Sequence, residues 1–311
     1  MPTTDDILLR SVRRADLAAL RAVAASALPH DDDAADLVDL LWDGSDGDEG
    51  LGVTAEAGGE VVGLALGSLS TLAAASAAPL VRGHVNLLAV APEHRGRGHG
   101  RALLAALEQR LRDRGARRLV IRGSNPHYAW PGIDVRGTAA VCLAESSGYQ
   151  RTAEAVNMLV DLERAPLDTE DDELRLAKLG LTIRRLIPED LPRFGEWMRS
   201  WGGTWAAEAE AALDHTPVGC HIAVRGDGED AEYLAFACHG VNRRAWFGPM
   251  GTAESLRGQG VGAVLLRRCL ADQRAAGLRQ AEIGWTGPIR FYARAVDAVL
   301  GRVFWLYQKE C

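Results

Sequence analysis

The sequence predicts an α/β (α+β) fold present twice in tandem, each copy a mixed, mostly antiparallel twisted sheet flanked by helices. Four observations predict it. A glycine-rich stretch occurs as Arg95-Gly96-Arg97-Gly98-His99-Gly100 and again as Arg257-Gly258-Gln259-Gly260-Val261-Gly262. Each copy follows an extended apolar run, Val85–Val90 or Ala245–Met250, and leads into apolar positions at i, i+3, i+4 spacing. A strand-into-helix pattern around Asp16-Leu17 returns around Asp190-Leu191. Finally, a length of 311 residues is what two domains need.

Bulk composition narrows the function classes. Hydrophobic residues make up 47% and charged residues 25%, ordinary for a globular chain. A net charge of −7 argues against nucleic acid as the main partner. It mildly favours a cationic substrate, although solubility alone explains it. The cysteines Cys142, Cys220, Cys238, Cys269 and Cys311 are scattered without a C-x-x-C pair, as expected for reduced thiols and no metal. Met1–Arg10 carries two aspartates and no apolar core, unlike a signal peptide. Val61–Val81 is long and uncharged, but its small and polar residues, two glycines and proline read as strand, loop, strand rather than a membrane span. The expectation is a cytoplasmic protein without a membrane partner, monomer or homodimer.

The elements follow in order. Leu8–Leu20 reads as a strand entering a helix, and Ile183–Phe194 repeats it. Asp31–Glu49 reads as an acidic, glycine-containing loop after the second helix. Gly52–Ala57, Gly58-Gly59 and Glu60–Gly67 form a hairpin signal, because paired glycines supply the positive φ of a tight turn. His221–Arg225, Gly226-Asp227-Gly228 and Glu232–Cys238 echo it. Leu103–Arg114 is a helix closed by Gly115, followed by a strand at Arg118–Arg122. Leu265–Ala276, Gly277 and Arg279–Gly284 repeat that unit. The aspartates lie 174 residues apart and the glycine loops 162, so the first copy is 12 residues longer in between (174 against 162). Glu163–Lys178 is charged, contains Pro166, and reads as a linker or exposed helix. The expected domains are 1–165 and 175–311, with 166–174 as linker.

A strand, a glycine turn and a helix start leave unpaired N–H groups at the positive end of a helix dipole, where an anion fits. Glycine lets the backbone approach that anion. A Walker loop needs Gly-Lys-Ser/Thr, which neither copy has, and a dinucleotide fingerprint needs a different glycine spacing and a later acid. R-x-x-G-x-G between a strand and an amphipathic helix resembles the pyrophosphate loop of GNAT acyl-CoA N-acyltransferases; a glycine-rich turn with solvated arginines is the plain alternative. The resemblance implies acetyl-CoA as co-substrate, no metal, and a splayed parallel strand pair in each domain where the co-substrate inserts. It assigns co-substrate binding to Leu88, Val90, Arg95, Gly96, Arg97, Gly98, His99 and Gly100. In the second copy it assigns Met250, Thr252, Arg257, Gly258, Gln259, Gly260, Val261 and Gly262. His99 also reads as a capping or surface residue.

The copies differ where chemistry would occur. Offset 162 sets Val120 opposite Glu282 and Gly123 opposite Trp285. Ser124–Gly137, with His127-Tyr128, is then an insertion that reads as a substrate wall or a packed Ω-loop. Beyond it Ala144 stands opposite Tyr292, an offset of 148. GNAT enzymes commonly protonate the departing thiolate with a tyrosine in this helix, so the resemblance gives Tyr292 that role; a core tyrosine is the alternative. The chain departs from the family's Tyr-Glu-Lys-x-Gly-Phe pattern, with Val296-Asp297 where Gly-Phe is usual. Amine attack on a thioester needs a neutral amine, which for a lysine-type amine costs about 4–5 kcal/mol at pH 7. Glu282 on the splay strand can take that proton, directly or through water, unless it is a solvated outer-face residue. A backbone N–H near Met250 can stabilise the oxyanion. The second domain is therefore expected to be catalytic and the first structural or vestigial.

Trp197, Trp201 and Trp205 fall at helical spacing where GNAT folds overhang the acceptor. Aromatic faces suit a sugar, although a core stripe has the same spacing. Trp201, Trp205 and Trp285 are the substrate-binding candidates, and Gly202-Gly203 is expected to interrupt the helix. The tandem plan, the turn Ile283–Pro288 and the ten-residue separation of Glu282 from Tyr292 resemble bacterial glucosamine/glucosaminide N-acetyltransferases, implying a small-molecule primary amine as acceptor. Mycothiol synthases, which acylate an aminosugar conjugate, share the plan but not the usual Asn-x-x-Ala before the tyrosine. A peptide amine, or a non-catalytic acyl-CoA sensor, are the remaining readings.

Overall fold

The computed structural model describes residues 7–43, 51–72, 80–124, 127–201, 205–226 and 228–311. The chain forms two compact units, Met1–Ala155 with Val303–Cys311, and Val156–Arg302. Among the described residues, no helix is long and apolar enough to cross a membrane.

Unit 1 runs β1 (Ile7–Ser11), α1 (Leu17–Ala27), α2 (Ala34–Asp43), β2 (Val53–Ala57), β3 (Glu60–Leu72), β4 (Leu80–Val90), α3 (His99–Asp113), β5 (Arg118–Ile121), β6 (Ile133–Asp134), α4 (Thr138–Ser146) and the start of β7 (Gln150–Asp161). Its sheet order is β1-β2-β3-β4-β5, antiparallel except for the β4–β5 pair. Gly58 (φ 59°) and Gly59 (φ 86°) close the β2–β3 hairpin as the paired glycines predict. One apolar cluster packs α3 against the sheet through Leu103, Leu107 and Leu111; another packs α1 and α2 through Leu20, Val38 and Leu41.

Ala34–Asp43 is helix, not the loop expected across Asp31–Glu49. Ala34, Leu37, Val38 and Leu41 form a buried stripe at helical spacing, which overrides the loop character of the intervening aspartates. Residues 44–50 lie outside the described residues.

Unit 2 repeats the order. After α5 (Glu170–Ala177) come β8 (Leu181–Arg185), α6 (Leu191–Arg199), α7 (Trp205–Ala211), β9 (Cys220–Arg225), β10 (Glu232–His239), β11 (Trp246–Thr252), α8 (Val261–Ala275), β12 (Gln280–Ile283), α9 (Ile289–Val296) and the start of β13 (Val299–Glu310). Its sheet order is β7-β12-β11-β10-β9-β8, with β11–β12 the parallel pair. The duplication reaches individual hydrogen bonds. Arg10 grips Asp16 through both terminal nitrogens (2.6 and 2.8 Å), while Asp16 also accepts from the Arg13 N–H. Arg184 and Asp190 repeat this at 2.6 and 2.7 Å, with the Ile187 N–H as the backbone donor. Asp227 and residues 202–204, which include the expected Gly202-Gly203 break, lie outside the described residues.

Two features are not local. Met158–Asp161 pairs antiparallel with β12 inside unit 2, and Tyr307–Glu310 pairs antiparallel with β5 inside unit 1. Each sheet is thus completed by the closing strand of the other repeat. The stretch read as linker contains α5, held to α8 by Arg267–Asp172 (3.0 Å) and Arg268–Glu173 (2.5 Å) ion pairs.

Candidate active site

The glycine loops have matching backbones. Gly98 and Gly260 are the N-caps of α3 and α8 at φ 87° and 88°, and Gly96 and Gly258 lie at 76° and 80°. All four are left-handed, a region that disfavours any residue with a Cβ. A Cβ on Gly96, Gly98 or Gly258 would meet no atom within 4 Å, so the space over these turns is open. The first N–H groups of each helix point there without intrahelical partners. The residues therefore fit a diphosphate.

The loop side chains behave differently from their backbones. Arg95 turns back to the scaffold, donating to the carbonyls of Val90 (3.0 Å) and Ala27 (2.8 Å). Gln259 donates to the Ser255 carbonyl (3.0 Å), and Arg257 is exposed. His99 is 1% exposed and stacks on His94, so it is neither a surface residue nor a simple cap; Val261, its counterpart, is equally buried. Arg175 of α5, absent from the sequence-based candidates, brings Nη2 to 2.8 Å from where a Cβ on Gly260 would stand. It adds a cation beside the second loop, with Asp172 as its partner (2.9 Å).

Both parallel pairs splay at equivalent points. The β4–β5 pairing ends at Val85/Ile121, and the β11–β12 pairing at Phe247/Ile283. A bulge lies beside each end. Asn86 is the extra residue between the Val85 and Leu87 pairings, and Gly248-Pro249 opposes Cys238 alone. A bulge bends the strand and strengthens its twist, which carries Leu88–Val90 and Met250–Thr252 away from the neighbouring strand.

Glu282 sits at the second splay, paired in register with Trp246. Its Oε2 accepts from the Trp246 indole (3.1 Å), and its Oε1 accepts from Asn157 Nδ2 (2.6 Å). Asn157 is fully buried, and its Oδ1 accepts the Trp285 N–H at 2.9 Å. Trp285 holds φ 51°, an uncommon conformation for a bulky residue, and is 38% exposed. Two carboxylate lone-pair positions are thus used for orientation, and two are left to take a proton.

Tyr292 approaches from the other sheet face. It belongs to the α8-side cluster with Phe247 and Ile283, whereas Glu282 and Trp246 alternate onto the opposite face. Its ring meets Phe247 and Phe291 edge-on, and burial pushes its pKa up to about 12. The hydroxyl stays protonated through the neutral range, as a proton donor requires. In unit 1 the corresponding positions are Val120 and Ala144, both buried and without acid–base chemistry.

The tryptophans in and between α6 and α7 are largely core. Trp197, Trp201 and Trp205 each ring-pack with Phe236, and Trp201 also fills the space over Gly251 of β11. Among its described residues the insertion in unit 1 is held in place: Gly123 before it donates to the Trp130 carbonyl, and the Trp130 indole donates to Asp31 (3.1 Å).

Comparison with known proteins bears on the fold. The Acetyltransferase (GNAT) family matches residues 17–128. A mycothiol acetyltransferase of Kineococcus radiotolerans is 35% identical over 101 residues, which span 32% of this chain and 28% of that protein. Among solved structures, a glucosamine N-acetyltransferase region of a fungal multi-domain GH3 β-N-acetylglucosaminidase superposes with TM-score 0.76 at 17% identity, covering 98% of this chain and 38% of that one. A GCN5-related N-acetyltransferase from Sphaerobacter thermophilus gives 0.67 at 22% identity, covering 100% and 96%. A tandem GNAT protein from the clavulanic acid biosynthesis pathway gives 0.61 at 16% identity, covering 98% of each chain. The GNAT family model thus matches the first repeat, and the chain as a whole carries the GNAT fold twice in tandem.

Proposed function

We propose that this protein is an acetyl-CoA-dependent N-acetyltransferase whose chemistry resides in unit 2 and whose acceptor is the primary amine of an amino sugar, glucosamine or a glucosaminide. The observation that carries the proposal is the pairing of an oriented carboxylate, Glu282, with a buried, protonated phenol, Tyr292, on opposite faces of one splay. Acetyl-CoA supplies the acyl group as a thioester. Gly258, Gly260, the first turn of α8 and Arg175 hold its diphosphate. Met250 and Thr252 line its path along β11, where a main-chain N–H near Met250 stabilises negative charge on the acyl oxygen. Glu282 removes the amine proton, worth about 10²–10⁴-fold in rate. Tyr292 gives its proton to the leaving sulfur. Unit 1 keeps the cradle at Gly96 and Gly98 with Leu88 and Val90, but not the acid–base pair.

Trp285, partly exposed beside Glu282, is the aromatic surface for the acceptor, with Trp201 and Trp205 as the packed wall behind β11. The named acceptor of the fungal neighbour supports an amino sugar. A second acceptor, of the type used by the mycothiol acetyltransferase, is favoured by 35% identity, although the matched stretch spans under a third of that relative. A panel of amino sugars, aminosugar conjugates, aminoglycosides, polyamines and peptides, read by free-thiol release from acetyl-CoA, tests both. Amino sugars or their conjugates should lead. Preference for peptides would overturn the acceptor, and no release with any amine would overturn the enzyme.

A further inference from the structure

One buried amide in unit 2 touches two of the groups assigned to transfer. Asn157 stands one step beyond the Met158/Ile283 pair that ends the β7–β12 ladder. It lies two residues from Leu159, which pairs with Glu282, so it projects on the same sheet face as that carboxylate. The side chain is fully buried, with Nδ2 donating to Glu282 Oε1 at 2.6 Å and Oδ1 accepting the Trp285 N–H at 2.9 Å. These partners fix which way the amide faces. An ionised carboxylate only accepts and a backbone N–H only donates, so a turned amide would lose both bonds. Neither neighbour in size can replace it. Aspartate sets a carboxylate against a carboxylate, and leucine supplies neither donor nor acceptor. Gly301 of β13 lets this part of β7 come close, because a Cβ there would stand 2.6 Å from Leu159 Cγ and 3.3 Å from the Asn157 carbonyl oxygen.

The duplication supplies an internal comparison. In unit 1, Gln308 pairs with Val120 as Leu159 pairs with Glu282 in unit 2. Two residues back, Leu306 is the counterpart of Asn157. The parallel pairs match as well, His84 with Val120 and Trp246 with Glu282. His84 is engaged elsewhere, bonding Ser70 at 2.8 Å. The carboxylate and its amide support therefore occur together in one unit and are replaced together in the other. A strand that only completes a sheet has no need of a buried amide, whose polar atoms must each find partners.

We propose that Asn157 is a positioning residue for the amine acceptor: it holds the Glu282 carboxylate and the Trp285 main chain in register, so that a sugar stacked on the indole presents its nitrogen to the base. This rests on the roles given above to Glu282 and Trp285. Trp285 holds φ 51°, a conformation that its surroundings must maintain. Tying its N–H to the amide that orients the base gives both groups one fixed spacing. Misplacement of a reacting group by about 1 Å costs about 100-fold in rate.

The test measures thiol release from acetyl-CoA across pH, with glucosamine or whichever amine of the panel reacts faster, for wild type, Glu282→Gln, Asn157→Leu and Asn157→Asp. Asn157→Leu installs the residue of unit 1. It should lower kcat about 10- to 100-fold and raise KM for the amine, while KM for acetyl-CoA stays at the wild-type value. Asn157→Asp still accepts the Trp285 N–H but sets an oxygen where Nδ2 stood. Two carboxylates so placed share a proton, which occupies the base until the pH is higher. The acid limb of its kcat/KM profile should therefore move up by about one pH unit or more. An amide with a purely structural role would lower the unfolding temperature and leave that limb in place. With Glu282→Gln slow, an unmoved limb in Asn157→Asp or a wild-type kcat in Asn157→Leu overturns the positioning role and spares the base. Wild-type turnover by Glu282→Gln removes the base, and this inference with it.

Discussion

Replacing Glu282 by Gln keeps its shape and removes its charge. Both native partners are donors: Asn157 Nδ2 at 2.6 Å and the Trp246 indole at 3.1 Å. Glutamine has one acceptor oxygen, so its NH2 must face the other donor. Trp246 has no acceptor to offer. If Asn157 turns over, the Trp285 N–H loses the oxygen it now meets at 2.9 Å. Every arrangement leaves one donor unpaired. A hydrogen bond to a charged group is worth about 1.5–3 kcal/mol, so the loss is about 2 kcal/mol. In a unit of about 150 residues, each kcal/mol moves Tm by about 2–4 °C, giving a fall of about 4–8 °C. Turnover should fall by about 10²–10⁴-fold, because no base is left to take the amine proton. The variant's rate should then rise about tenfold per pH unit below the acceptor's pKa, since it depends on amine already neutral in solution. Thiol release across pH, with thermal unfolding beside it, reads both effects. A variant that loses stability but turns over like wild type would reduce Glu282 to a structural residue. An unchanged Tm would refute the hydrogen-bond reasoning itself.

The remaining predictions concern other parts of the site and fold. Tyr292→Phe removes a hydroxyl that has no hydrogen-bond partner among the described residues, so Tm should hardly change, while turnover drops about 100-fold and CoA affinity persists; unaltered turnover removes its role as acid. Gly260→Val forces a branched side chain to φ 88° and into Arg175, so calorimetry should show CoA binding lost from unit 2, and intact affinity would contradict the loop assignment. His84, held down to about 4 from an ordinary 6.5, contributes stability that is present above pH 6.5 and lost as pH falls through 4, about 3 kcal/mol in all. His84→Gln should therefore flatten the fall in unfolding free energy between pH 6.5 and 4, and an identical acid profile would sink this account.

Much of the fold was legible because its signals are local. The paired glycines at 58 and 59, the aspartates at 16 and 190 and both R-x-x-G-x-G loops each dictate backbone conformation within a few residues. The helix at Ala34–Asp43 reads as loop from its aspartates, because the apolar stripe between them takes its weight only from burial against the sheet. At the candidate site, Glu282 and Tyr292 could be picked out because they break the internal symmetry against Val120 and Ala144. Their supports could not. Asn157 lies 125 residues before Glu282, and Arg175 reaches the second loop from a stretch that reads as linker.

The sequence by itself determined that one strand–turn–helix plan occurs twice, and that only the later copy offers a carboxylate and a phenol at the splay. Only the tertiary structure decided which strand completes each sheet, that Arg95 turns inward, and that Asn157 meets both Glu282 and Trp285. The reason is physical. A turn or helix cap is specified by torsions of adjacent residues, whereas a strand's partner and a side chain's neighbours are set by hydrogen bonds and packing between segments far apart in the chain.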